Sequence, residues 1–242
     1  QLHFKNGTVG VVGGKAVHQQ SPKERDEPVK LDTLTIDIGA SSKAEAEKYV
    51  SPGDCAYFRS DYTELGNGYL REKALDDRIG CAIMVDILNN LPYDVTCVFT
   101  VQEEIGTRGA KVAAYTVKPD YAIVLETTTA CDFSGNDGEK RVCELGKGCV
   151  VSYMDRSTIY DRELYRLGFE KAKEINVPCQ TKTLVAGGND SGAIHSSVGG
   201  IRTVALSVPC RYLHSPSCMI KKSDVQSTAE LAYAMYLALA EK

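Results

Sequence analysis

A mixed α/β fold, a mixed sheet flanked by helices with a smaller β-rich domain at its N-terminal end, is predicted by three observations. Beyond about residue 70, short apolar runs alternate with longer stretches of helical period. Before that point, β-branched runs are punctuated by glycine. Acidic residues, finally, recur where the predicted strands end.

The elements follow in order. Thr8–Gly14 and Leu31–Ile38 read as strands, with a polar, proline-containing loop from Gln19 to Lys30 between them. Ser42–Tyr49 is a short helix and Ser51–Asp54 a turn. These define a small domain over 1–70. The α/β domain, 71–242, begins with an apolar helix over Ile79–Leu88, a buried strand over Asp94–Val101, a helix over Gly106–Tyr115 and a buried strand over Tyr121–Leu125. An amphipathic helix over Tyr160–Ile175 leads to strands at Gln180–Val185 and Thr203–Val208. Ser223 or Asp224 caps a last helix whose apolar set includes Val225, Leu231, Met235 and Leu239. With this order, helices cover both faces of the sheet.

Composition narrows the function. The 242 residues are 43% hydrophobic and 25% charged, with a formal net charge of −4. That balance leaves no basic footprint for nucleic acid and no polybasic surface for a membrane, and no apolar run is long enough to span a bilayer. A cytoplasmic protein is expected. The 9 cysteines are odd in number and form no Cys-x-x-Cys pair, so they read as free thiols within apolar stretches.

Open α/β sheets bind ligands at the carboxyl ends of their strands. Glu103-Glu104 follows the run Val95–Val101, Glu126 follows Tyr121–Leu125, Asp76-Asp77 precedes the first helix, and His214 follows Val204–Val208 by a short loop. Any one of these is most simply a solvated loop charge; repeated at equivalent positions, they make a ligand set for zinc, cobalt or manganese. On an extended segment, adjacent side chains such as Glu103 and Glu104 point to opposite sides, so one can bind metal while the other faces a water.

Five segments carry a resemblance. Lys73-Ala74-Leu75-Asp76-Asp77-Arg78-Ile79-Gly80 and Phe99-Thr100-Val101-Gln102-Glu103-Glu104-Ile105-Gly106-Thr107-Arg108-Gly109-Ala110 closely resemble the M42 metalloaminopeptidases, known as glutamyl aminopeptidases and formerly as endoglucanase M. Met154–Ser157, Gly187–His195 and Arg211–Pro216 agree in order and spacing.

The resemblance implies two divalent metal ions, zinc or cobalt first and manganese next. Asp76 would bridge them, with a cis peptide bond to Asp77. Glu103 would be the general base, Glu104 and His214 ligands of one metal, and Glu126 the carboxylate of the other, where many relatives carry Asp. Asp77, Asp190 and His195 are placed with substrate or around the ligands; for Asp190 the alternative is a turn or N-cap to Ser191–His195. Peptide substrates and a homo-oligomer, a dodecamer in complete members, are also implied.

One further family ligand comes from a His-x-Asp motif, and none occurs here: His3 precedes Phe4-Lys5, and His18 precedes Gln19-Gln20. The chain is therefore expected to lack an N-terminal segment and to leave one metal site vacant. The rival readings are a catalytically incomplete fragment or non-catalytic subunit, an endoglucanase-type carbohydrase, and a serine hydrolase. The carbohydrase reading is weakened by the absence of tryptophan, and the serine-hydrolase reading by the absence of a Gly-x-Ser-x-Gly elbow.

Overall fold

The computed structural model describes residues 1–136 and 138–241, apart from the side chain of residue 139. The chain divides into two compact units, Gln1–Ser60 and Asp61–Lys242.

In the first unit, β1 (Leu2–Phe4) lies between β2 (Val9–Gly13) and β4 (Ala56–Phe58), and β3 (Thr35–Asp37) adds to β2, every pairing being antiparallel. The polar stretch expected to be a loop contains a short helix, α1 (Pro22–Asp26). Its signal is local: Ser21 and Glu24 form a reciprocal capping box, with proline in the first turn. The predicted strand over Leu31–Ile38 shortens to β3, with a 3₁₀ turn over Leu31–Thr33 before it. The helix α2 (Lys43–Ala46) starts where Ser42 accepts from the Glu45 N–H.

The second unit starts earlier than the boundary at 70 expected from composition. The reason is long-range pairing: β5 (Thr63–Leu65) and β6 (Tyr69–Glu72) form a three-stranded antiparallel sheet with β11 (Cys218–Lys221), near the far end of the chain. Between them run α3 (Leu75–Leu88), α4 (Arg108–Val117), β7 (Tyr121–Thr129), β8 (Cys149–Val151), α5 (Arg162–Glu174), β9 (Cys179–Thr181), α6 (Ser191–His195) and β10 (Arg202–Cys210); α7 (Lys222–Ala240) follows β11.

The main sheet has the order β7-β10-β8-β9, with β7 and β9 parallel to their neighbours and β8 antiparallel to β10. Side chains alternate across a strand, so β10 feeds two cores. Val204, Leu206, Val208 and Cys210 pack with Leu75 and Ile83 of α3, Leu164 of α5, and Leu231 and Met235 of α7. Ala205 packs with Val124 and Tyr160, and Ile194 of α6 closes over them. Both faces are thus covered, as is usual where strands run parallel within a sheet.

Three expectations need correction. Residues 94–101 form no strand: the segment makes no ladder with any described residue, and Val95, Phe99 and Val101 are 41%, 47% and 67% exposed. β-branched residues favour an extended chain, but a strand also needs a neighbour. Second, β7 runs on past Leu125 to Thr129, because β10 offers it a matching partner up to Cys210, so Glu126 lies inside a strand. Third, Asp224 caps nothing. It is fully buried, in the first turn of α7, and its carboxylate accepts from the N–H groups of Gly146 and Gly148 at 2.6 and 2.9 Å.

Candidate metal centre

Each acidic residue reaches the site on a different backbone. Asp76 and Asp77 occupy the irregular start of α3, joined by a cis peptide bond, with φ/ψ of −85°/110° and −115°/43°. Regular helix begins after them, and the Gly80 N–H donates to Asp77 Oδ1 at 3.2 Å. A Cβ on Gly80 would run into the Asp77 carboxylate, so any larger residue there would displace that side chain. Glu103 and Glu104 lie in the turn before α4. Its start is fastened by Gly109 N–H to Val101 O at 3.0 Å, and a Cβ on Gly109 would come within 2.6 Å of the Val101 backbone.

Two groups of donors result, and they share Asp76. One oxygen or nitrogen from each of Asp76, Glu104 and His214 lies within 4.8 Å of the others, and so it does for Asp76, Asp77 and Glu126. His214 Nε2 is 3.3 Å from Asp76 Oδ2 and 3.4 Å from Glu104 Oε2. The first group is open to solvent, with His214 and Glu104 side chains 64% and 59% exposed, whereas Glu126 is only 7% exposed. The sequence reading placed Asp77 with substrate or around the ligands; in the structure its carboxylate groups with those of Asp76 and Glu126.

Like charges in a sheltered place hold protons. Burial, then the neighbouring Asp76, pushes Asp77 up to about 8. Burial and then Asp77 push Glu126 up to about 10. Glu103 rises to about 7, through burial and then the charges of Asp190 and Glu104. Burial also raises Asp76, with His214 pulling the other way. Such a cluster is what a divalent cation would relieve, and its donors, carboxylate oxygens and one imidazole, suit zinc, cobalt or manganese.

Asp190 belongs to this neighbourhood. It is 5% exposed; Oδ2 accepts from Thr100 Oγ1 at 2.6 Å, while Oδ1 is buried without a hydrogen-bond partner. It stands at the N-cap position of α6 but makes no capping bond. His195 is in neither donor group; its Nδ1 lies 2.9 Å from the Ser191 carbonyl oxygen. A cavity of about 700 Å³ runs between residues 94–100 and β7, with Asp77, Glu103, Glu126 and Asp190 in its wall. A second, of about 320 Å³, opens on Glu103, Glu104 and His214, beside Thr107, Ser157 and Asn189.

A sequence model of the M42 glutamyl aminopeptidases matches residues 1–231. The chain belongs to that family. It is 40% identical over 236 residues to a protein of Acetivibrio thermocellus, covering 96% of this chain and 68% of that one. It is 33% identical to the lysyl aminopeptidase of Pyrococcus furiosus, over 96% of this chain and 67% of the relative. Among solved structures it resembles the TET1 peptidase of Pyrococcus horikoshii, described as assembling into a tetrahedron or a large octahedral shell, with a TM-score of 0.84 at 32% identity, covering 99% of this chain and 71% of that one. The chain spans about two thirds of the length of the curated relatives it matches. Its mixed α/β architecture is that of the family. Among the described residues, no helix is long and apolar enough to cross a membrane.

Proposed function

We propose that this chain carries the metal-binding and catalytic residues of an aminopeptidase that removes N-terminal residues from peptides. The observation that carries the proposal is the pair of donor groups sharing Asp76, with Glu103 in the wall of both adjoining cavities. Asp76, Glu104 and His214 would hold one divalent cation, and Asp76 with Glu126 and Asp77 the other. When bound, such cations supply Lewis acidity to the scissile carbonyl and make water a stronger acid. Zinc or cobalt is the expected metal, and a cytoplasmic homo-oligomer the expected setting.

Glu103 is the general base in this reading. Its carboxyl, at about 7, is poised to exchange a proton near neutrality. It takes a proton from the attacking water and later delivers one to the leaving amine. The charge of Asp190 helps keep the Glu103 proton affinity high. The Asp190 carboxylate, in the wall of the larger cavity, is also the candidate partner for a substrate ammonium group, which would restrict cleavage to the first residue.

A second reading rests on the composition of the buried donor group. It contains three carboxylates and no imidazole among the described residues, so that site holds a cation less firmly than the one with His214. On that reading one metal is tightly held and turnover by the chain alone is slow.

Elemental analysis combined with a panel of aminoacyl chromogenic substrates tests both. Metal-dependent release of N-terminal residues supports the aminopeptidase. One tightly held metal with little turnover supports the incomplete site. Full activity after prolonged chelation would overturn the metal mechanism.

A further inference from the structure

His214 is held by a loop, not by a strand or helix. The loop leaves β10 after Cys210 and re-enters the fold at β11 with Cys218. Tyr212 and His214 both have φ of 58°, a left-handed conformation that residues with a side chain adopt at a cost and keep only when their surroundings impose it. At the neck, Arg211 and Met219 exchange backbone hydrogen bonds at 2.9 and 3.0 Å. That closes the loop at its base, and Arg71 Nε donates to Ser217 Oγ at 2.6 Å on its returning side.

Two further side-chain contacts hold the part of the loop that leads to His214, and both go to the segment following β7. The Arg211 guanidinium donates from Nε to Asp132 Oδ1 at 2.5 Å and from Nη2 to Oδ2 at 2.9 Å. The Tyr212 ring stacks on Phe133, with centroids 6.1 Å apart and planes at 26°. Asp132 is itself fixed, its side chain only 5% exposed and also accepting from the Leu145 N–H at 3.0 Å. Residues 132 and 133 continue the chain from β7, the strand that carries Glu126. The loop bearing the imidazole is therefore tied to the segment that leaves the strand bearing the buried carboxylate.

We propose that the Arg211–Asp132 pair is a positioning device that presets His214 for its cation, a role resting on the metal reading above. Two parallel N–H···O bonds fix an angle as well as a distance, which a single ammonium contact cannot do. A sheltered ion pair contributes little net stability, because desolvation offsets most of the attraction. The gain here is geometric: an imidazole that is 64% exposed is held 3.3 and 3.4 Å from the two carboxylates that share its group. Groups that orient a metal ligand typically change affinity about 10–100-fold when lost.

The test uses the full chain with Arg211→Lys, which keeps the charge but loses the fork, and Asp132→Asn as a second variant of unchanged shape. Cobalt(II) is titrated by calorimetry and visible absorption, beside urea midpoints and the ring resonances of His214 in metal-free protein. Both variants should fold, bind cobalt about 10–100-fold more weakly with an altered spectrum, and show shifted His214 resonances. Lower urea midpoints with wild-type cobalt affinity, spectrum and resonances would show an ordinary structural pair and overturn the proposal. If wild-type protein binds no cobalt, or His214→Ala leaves binding unchanged, the metal reading fails; the metal-free resonances then decide the positioning claim, unshifted signals overturning it and shifted ones supporting it.

Discussion

His214 Nε2 lies 3.3 Å from Asp76 Oδ2, although one residue sits on a loop near the end of the second unit and the other at the start of its first helix. Asp76 also belongs to the buried group with Asp77 and Glu126. One carboxylate therefore joins an exposed, imidazole-containing group to a buried, wholly acidic one. The two groups should behave differently when their residues are changed.

The adjacent acids Glu103 and Glu104 should separate by phenotype. Glu103→Gln is expected to lower kcat by about two orders of magnitude or more with metal content nearly intact, as loss of a general base does. Glu104→Gln should lower metal content first. Steady-state kinetics and elemental analysis on both variants check the assignment, and the reverse pattern would exchange the two roles.

Removing the need to hold Glu126 protonated, a cost to the fold at any pH above the ordinary carboxylate range, should stabilise the metal-free chain. Asp77 and Glu126 are raised to about 8 and about 10, by burial first and then by neighbouring carboxylates, so each is held against its preference to ionise. Glu126→Gln should raise the metal-free Tm and shrink the rise produced by added zinc. Wild-type protein saturated at one hundred times Kd should gain about 2.7 kcal/mol from binding. Scanning fluorimetry with chelator and with zinc measures both; a variant less stable than wild type in chelator would contradict the charge argument.

Asp161 gives a pH-dependent prediction away from the metal centre. Hydrogen bonds from Arg202, at 2.7 and 3.0 Å, hold its carboxyl below the ordinary range. A depressed folded-state pKa contributes stability above the unfolded value, about 3.9, which is lost as pH falls through the folded value. Asp161→Asn keeps an acceptor for the N–H groups of Glu163 and Leu164 at the start of α5 but loses the ion pair. Its Tm should fall below wild type at pH 7, and the two curves should converge below about pH 4. A gap that persists unchanged to pH 2 would exclude the ion pair as its cause.

Asp224 should prove a structural keystone. Asp224→Ala strips the part-buried Gly146 N–H and the buried Gly148 N–H of their acceptor, at about 1–3 kcal/mol for the buried group left unsatisfied and less for the other. Urea denaturation should show a loss of about 2 kcal/mol or more, while Asp224→Asn, which retains one acceptor oxygen, should lose less. Equal losses would mean that packing, not hydrogen bonding, is what the residue supplies.

The sequence by itself determined the elements whose signals are local, together with the residue types of the candidate site. The helix over 79–88 follows from apolar period, a short helix from Ser42 on follows from local composition, and the candidate acids at 76, 77, 103, 104 and 126 with His214 follow from their motifs. Tertiary structure decided whatever depends on distant partners. Residues 94–101 have the composition of a strand but no neighbour among the described residues to pair with. β7 extends through Glu126 because β10 continues beside it, and the second unit begins before β5 because β11 pairs with β6. Asp224 turns to Gly146 and Gly148, and Arg211 reaches Asp132 across 79 positions. Propensity and period act over a turn or two of chain, whereas ladder partners, buried acceptors and shared ligands exist only once remote segments have been brought together.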